Sequence, residues 1–366
     1  MIKPRKSVRR LKRYQPPLEG RAGKFRLDFN ENTVGCAPGV IRALRKTLNA
    51  DWLSRYPEYE ESRRILARYF RVSPDEMILT NGTDDALKVI CETFIDPGDV
   101  LVVPAPTFPV YKYFASVQGA ETLQVPCDEK FFLPRERVMA ALKRKPRWVA
   151  LANPNNPTGT MVSKKDLRTI LKTVPRTLVL VDEAYYDFSG QTVLPWIRKY
   201  PNLIVTRTFS KAFGLAALRM GCIFANVKLA EMMRRGINPF SVNSLALACA
   251  VEAIRHKDYV RRYVAEVLAN RARLCRALER MGVSYVPSSA NFVLTRMGKR
   301  SSEIARRLKR KRILVRDWGY ESILRGYLRF TVGSSAQTRL LIAELERAQH
   351  LMETGVRSGS KNKSRR

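Results

Sequence analysis

The stretch Leu203-Ile204-Val205-Thr206-Arg207-Thr208-Phe209-Ser210-Lys211-Ala212-Phe213-Gly214 decides the fold. It opens on a short apolar run, Leu203–Thr206, without the polar alternation of a half-buried strand. Runs of this kind belong to strands covered on both faces, as in parallel sheets. The run then ends in hydroxyls and a lysine, so polar chemistry sits at a strand end, where open α/β sheets hold ligands. Six more runs of the same type flank it: Met77–Thr80, Val100–Val103, Thr122–Val125, Trp148–Ala152, Leu178–Val181 and Gly221–Phe224. Helical patterns such as Asp84–Phe94 and Lys164–Thr173 fall between them. This alternation predicts an α/β fold with a mostly parallel, doubly wound sheet of seven strands.

Further along, a helical pattern over Leu245–Met281 leads into a smaller α+β unit. Its expected elements are strand Asn291–Thr295, helix Ser301–Arg310, strands Ile313–Val315 and Leu328–Thr331, and helix Ala336–Met352. The predicted organisation is a basic arm over 1–24, a first part of the small domain over 25–50 and a large domain over 51–255. The small C-terminal domain follows over 256–353, and a basic Gly/Ser-rich tail, expected to be disordered, over 354–366.

The chain has 366 residues, 45% of them hydrophobic, which is more than one core usually holds and fits two domains. Six scattered cysteines form no CxxC pair, and there are only two histidines, His256 and His350. A zinc site is not expected, and the thiols read as reduced core residues of a cytoplasmic protein. No apolar run approaches the roughly 20 residues that cross a bilayer, so no membrane partner is expected. The net charge of +34 is spread through 143–147, 234–235, 261–273 and 299–312, with concentrations at Lys3–Arg13 and Arg357–Arg366. It fits either a nucleic-acid partner or a solvated basic surface. Its spread over many segments favours the second, and its field would draw in small anions.

The chemistry starts at Lys211. A lysine at a strand end can form an imine with an aldehyde cofactor if a low-dielectric, cationic site lowers its pKa. A Ser-Lys pair alone also fits a solvated lysine; its neighbours sharpen the reading. Arg219 enters an apolar strand and needs an anion, for which a phosphate is suitable. Asp182 ends the strand Leu178–Val181 and could keep a pyridine nitrogen protonated. Tyr185 and Asn156 could donate to a phenolic oxygen. Thr80-Asn81-Gly82-Thr83-Asp84 runs from strand into helix, where backbone N–H groups meet a positive helix end. The same residues would also serve as an ordinary helix cap. Phe108, after another strand, could stack on a ring.

Read in order, these motifs resemble fold-type I pyridoxal-phosphate (PLP) enzymes, specifically the class I/II aminotransferases and, among them, the histidinol-phosphate aminotransferase family. The matching elements also include Asn30-Glu31-Asn32, Tyr56-Pro57, Asn156-Pro157-Thr158-Gly159 and Leu328-Arg329-Phe330-Thr331-Val332-Gly333, and the resemblance spans about Tyr14 to Arg347. It implies pyridoxal 5'-phosphate as cofactor and Lys211 as its Schiff-base lysine, with Asp182 and Tyr185 in catalytic support. It further implies that Gly82, Thr83, Thr208, Ser210 and Arg219 surround the phosphate, that Phe108, Asn156, Asp182 and Tyr185 surround the ring, and that Asp84 is a further cofactor-binding residue. Tyr56 matches a residue that reaches the cofactor of a second chain, so a homodimer with shared active sites is implied.

Substrate binding falls by the same resemblance to Arg329, Arg316, Asn156 and Tyr14. The implied reaction is transamination between histidinol phosphate or an aromatic amino acid and 2-oxoglutarate, as in amino-acid biosynthesis. Some positions depart from the family pattern: Thr33 replaces the usual proline, Trp318 and Tyr320 are bulky, and Pro16-Pro17-Leu18-Glu19-Gly20-Arg21 is not the common arm. Two alternatives stand beside this reading: a threonine-phosphate decarboxylase-like PLP enzyme, and a basic nucleic-acid-binding protein on a vestigial enzyme fold.

Overall fold

The computed structural model describes residues 2–9, 11, 17–319 and 321–361, with side-chain burial described as far as Ala348. Among the described residues the strands are β1 (Phe25–Leu27), β2 (Met77–Asn81), β3 (Val100–Ala105), β4 (Glu121–Pro126), β5 (Trp148–Ala152), β6 (Leu178–Asp182), β7 (Leu203–Thr208), β8 (Met220–Ala225), β9 (Tyr285–Val286), β10 (Phe292–Arg296), β11 (Ile313–Asp317) and β12 (Tyr327–Thr331).

Seven of them form one sheet in the order β2-β8-β7-β6-β5-β3-β4. The pairs β3/β4, β3/β5, β5/β6 and β6/β7 are parallel. Strand β8 is antiparallel to both its neighbours, β2 and β7. Every residue of β5, β6, β7 and β8 is buried, which is why their sequences lack polar alternation. Helices such as Gly82–Phe94, Val110–Gln118 and Lys164–Thr173 cover the faces. The side chains of Trp148, Leu87, Met77 and Phe224 are fully enclosed, each contributing about 1.5–3 kcal/mol of transfer free energy.

The second sheet has the order β1-β11-β12-β10-β9. Strand β1, from the start of the chain, joins its edge in parallel with β11. Neither β1 nor β9 was expected: both are short, and Phe25 and Arg26 are exposed. The single helical pattern over Leu245–Met281 is two helices, Ser244–Arg255 and Lys257–Arg280. The break is at His256, whose backbone is not helical (φ −97°, ψ 35°). Its ring fills the space over Gly39, where a Cβ would lie 2.0 Å from Nε2. The last helix runs over Ser335–Lys361. This helix extends past Met352 into the first part of the segment expected as a tail, while the side chains of residues 349–361, and residues 362–366 altogether, lie outside the described residues.

Candidate active site

Strands β2, β3, β5, β6 and β7 share one direction, so their C-terminal ends share one edge of the sheet. Strand β8 runs the other way and begins at that edge. One cleft of about 610 Å³ therefore collects side chains from six loops. Thr83 and Asp84 follow β2, Phe108 follows β3, and Asn156 follows β5. Asp182 and Tyr185 close β6, while Thr208, Ser210 and Lys211 close β7, and Arg219 precedes β8; all of them line the cleft. Arg316 and Arg329, from the second sheet, form the opposite wall.

Two glycines allow the close approach at one end. Gly82 has φ +78°, and a Cβ there would meet Arg219 Nη2 at 2.6 Å. A Cβ on Gly221 would meet the Gly82 carbonyl carbon at 2.7 Å and the Thr83 nitrogen at 2.8 Å. Arg219 Nη2 donates to Asp84 Oδ2 at 3.0 Å, so these two charges share the helix N-terminus. Thr208 Oγ1 accepts from the Ser210 N–H at 3.0 Å, which fixes the turn leading to the lysine.

Lys211 Nζ donates to the carbonyl of Phe29 at 2.9 Å. Its pKa is lowered from 10.5 to about 8, chiefly by burial and then by the charge of Arg329. Near neutrality a useful fraction of the amine is therefore unprotonated. Asp182 is enclosed and accepts from Tyr111 Oη at 2.6 Å, Thr206 Oγ1 at 3.0 Å and the Ala184 N–H at 3.1 Å. Burial raises its pKa, and these three donors oppose that rise. The Tyr185 hydroxyl accepts from Asn30 Nδ2 at 2.9 Å.

On the opposite wall, Arg329 of β12 lies in register with Arg316 of β11. Register partners in a sheet face the same way. Arg329 Nη2 donates to the carbonyl of Asp28 at 2.6 Å, and Nη1 donates to Asn156 Oδ1. Its guanidinium lies 5.2 Å from the Phe292 ring centre and 5.5 Å from that of Trp318. Arg316 lies 5.1 Å from Trp318 as well. The neighbouring Asp317 is engaged elsewhere, accepting from Ser302 Oγ at 2.7 Å and the Gly319 N–H at 2.9 Å.

Among the described residues, neither Tyr56 nor Gly82 of the sequence-predicted set is among those that line the cleft. Tyr56 is 77% exposed, with its ring 4.7 Å from that of Phe240. Tyr14 lies outside the described residues. Conversely, sequence reasoning missed Tyr111, Thr206 and Arg21. Tyr111 stands in the first turn of the helix Val110–Gln118, where an aromatic reads as core. Nothing local shows that its hydroxyl meets a carboxylate on another strand.

A half-buried lysine of lowered pKa, an enclosed carboxylate and a glycine-lined turn beside an arginine form a donor set that fits PLP. Arg219, Ser210 and Thr208 could hold its phosphate with the Gly82-Thr83 turn, and Asp182 its ring nitrogen. The fold and the site define a PLP-dependent aminotransferase. The sequence matches the aminotransferase class I and II family model over residues 22–345, and the chain belongs to that family. Among its relatives, histidinol-phosphate aminotransferase 2 of Carboxydothermus hydrogenoformans is 36% identical over 359 residues, covering 93% of this chain and 98% of the relative. Histidinol-phosphate aminotransferase of Symbiobacterium thermophilum is 35% identical over 357 residues, covering 94% and 98%. The crystal structure of histidinol-phosphate aminotransferase from Sinorhizobium meliloti in complex with pyridoxal-5'-phosphate superposes with a TM-score of 0.82 at 28% identity, covering 90% of this chain and 91% of that one.

Proposed function

We propose that this enzyme moves an amino group between a small anionic amine, with histidinol phosphate as first candidate and aromatic amino acids as second, and a 2-oxo acid such as 2-oxoglutarate. The observation that carries this reading is the pair Arg329 and Arg316, in register on the wall of the cleft that also holds Lys211. Two fixed guanidinium groups suit a phosphate or a carboxylate. The names of the relatives support histidinol phosphate and do not favour decarboxylation of threonine phosphate or a vestigial enzyme fold.

PLP supplies an aldehyde that captures the substrate amine and a ring that accepts the electron pair left at Cα. The chain does the rest. Lys211, unprotonated in part near neutral pH, takes the proton from Cα and delivers it to the acceptor carbon. Asp182, held by Tyr111 and Thr206, keeps a proton on the ring nitrogen. Asn156 and Tyr185 would donate at the phenolic oxygen, and Phe108 would stack on the ring.

The active unit in this reading is a homodimer in the cytoplasm. Tyr56, exposed beside Phe240, is suited to reach the cofactor phosphate of a second copy. Six free thiols agree with a reducing compartment. Among the described residues no helix is long and apolar enough to cross a membrane.

The test is the change in visible absorbance when the PLP-loaded enzyme meets histidinol phosphate, phenylalanine, tyrosine or threonine phosphate without an oxo acid. Conversion with histidinol phosphate at the lowest concentration is expected. Release of carbon dioxide from threonine phosphate in place of a keto product would overturn the assignment.

A further inference from the structure

The cleft that is to receive an anion carries the carboxylate of Glu31 in its lining, and the carboxylate of Asp28 is tied to the same arginine as Glu31. Residues 28–31 form the strip between the two walls. The Asp28 carbonyl accepts from Arg329, and the Phe29 carbonyl accepts from Lys211. Asn30 donates to Tyr185, and Glu31 lines the cleft. This strip therefore sets the Glu31 side chain in the cleft that holds Lys211, Arg316 and Arg329, with Asp28 bonded to Arg329 through its carbonyl and carrying its carboxylate on the same strip. Asp84, another carboxylate of the lining, is already paired with Arg219.

Arg21 answers both of the others. Its Nη2 lies 2.7 Å from Asp28 Oδ1 and 2.6 Å from Glu31 Oε2. Its Nε reaches Asp28 Oδ2 at 3.2 Å, and its Nη1 reaches Glu31 Oε1 at 3.3 Å. One planar guanidinium thus spans two carboxylates, a geometry that an ammonium group cannot reproduce. Its plane is further fixed by the Phe29 ring, 4.2 Å from the guanidinium carbon. The side chain of Arg21 is only 14% exposed and that of Asp28 6%, so solvent screens this cluster little. Arg26 is a weaker second partner of Glu31, at 3.7 Å and half exposed. Arg21 lies in the arm segment whose sequence departs from the family pattern.

We propose that Arg21 is a positioning residue for substrate selectivity: it offsets one of the two negative charges of Asp28 and Glu31, so the wall formed by Arg316 and Arg329 keeps a net positive charge toward an anionic substrate. The inference rests on the proposed use of an anionic amine. It acts through charge, which a purely structural clamp would not. The groups facing Lys211 are Arg329 and Arg219, which favour its neutral form, and Glu31 and Asp84, which favour its charged form. Arg21 mutes Glu31 in that set.

The experiment is a double-mutant cycle of R21M and E31Q, with R21K beside it, on the PLP-loaded enzyme and on the cofactor-free protein. R21M is expected to raise the KM for histidinol phosphate about tenfold, with a much smaller change in kcat. E31Q in the R21M background recovers most of that loss, and R21K lies between. In the cofactor-free protein, the pH midpoint of the rate of PLP capture by Lys211 rises in R21M. E31Q shifts that midpoint far more in the R21M background than in the parent. Equal shifts in both backgrounds, or no recovery of KM by E31Q, would overturn the proposal. If R21M does not fold, the R21K and R21K/E31Q pair reads the same coupling. If the parent enzyme does not use histidinol phosphate, the substrate assignment fails, while the midpoint in cofactor-free protein still judges Arg21.

Discussion

The two walls of the cleft are built in different ways. The wall that suits the cofactor is made of residues at the ends of adjacent strands of one buried sheet, or a few residues from those ends. The wall that suits the substrate is made of strands β11 and β12 of the second sheet and of a strip, residues 28–31, from the far end of the chain. Asn30 donates from its N–H to Thr331 Oγ1 at 3.0 Å and from Nδ2 to Tyr185 at 2.9 Å. One residue thus ties the strip to both sheets. The first wall is fixed by local chain geometry on a rigid support, whereas the second depends on contacts between distant segments, where a substitution changes recognition without touching the chemistry.

The largest expected effect tests the first wall. Lys211→Ala removes the amine that handles the Cα proton, and turnover is expected to fall by at least about 10⁴-fold. The protein should keep its fold, as read by circular dichroism. Residual turnover within a factor of ten of the parent would exclude Lys211 from the reaction.

Arg329→Ala tests the second wall. The KM for an anionic amine is expected to rise by roughly two orders of magnitude, which corresponds to losing one partner of a desolvated charge contact. The affinity for PLP should stay within about twofold. If PLP affinity collapses instead, the two walls are not separable in function, and Arg329 belongs with the cofactor.

Gly221→Ala then breaks the first wall from behind. The added Cβ would meet the backbone of Gly82 and Thr83 at 2.7–2.8 Å, so the turn must move. Overpacking of this kind costs about 1–3 kcal/mol. PLP affinity should fall about tenfold, measured by equilibrium dialysis, with little change in the KM of whatever enzyme remains loaded.

The same difference decides what could be read in the sequence. Six of the seven strands of the large sheet were legible because burial on both faces leaves continuous apolar runs, and Trp148–Ala152 agrees residue for residue; the edge strand β4 is largely accessible. The candidate residues of the first wall follow those runs directly, so a strand end and a polar motif located them together. Strand β1 was not legible: three residues, two of them exposed, pair with a strand near the other end of the chain. Arg21 and Tyr111 were missed for the same reason. Their partners, Asp28 with Glu31 and Asp182, are set by tertiary contacts that leave no periodic trace. The break at His256 was hidden because both helices carry compatible patterns, and the packing of its ring over Gly39 leaves no trace in the local sequence.

The smallest effect concerns the cost of the first wall to the protein itself. In the cofactor-free protein, Lys211 has a pKa lowered from 10.5 to about 8. The unfolded chain keeps the ordinary value. Between about pH 8 and 10.5 the unfolded state therefore holds a proton that the folded state has released, and this group makes stability rise with pH. Below that window both states are protonated, and the penalty of burying the charge is present in full. Above it both are neutral, and the penalty is gone. Lys211→Met removes the charge while keeping the volume. The variant should be more stable than the parent at pH 7, by up to about 3 kcal/mol, less whatever the bond to the Phe29 carbonyl contributes. Urea unfolding of both cofactor-free proteins at pH 7 and at pH 10 measures the gap, and titrations common to both cancel in the difference. The gap should narrow at the higher pH. A variant that is less stable at pH 7, or a gap independent of pH, would mean that Lys211 is not held against its charge and that the first wall carries no stored electrostatic cost.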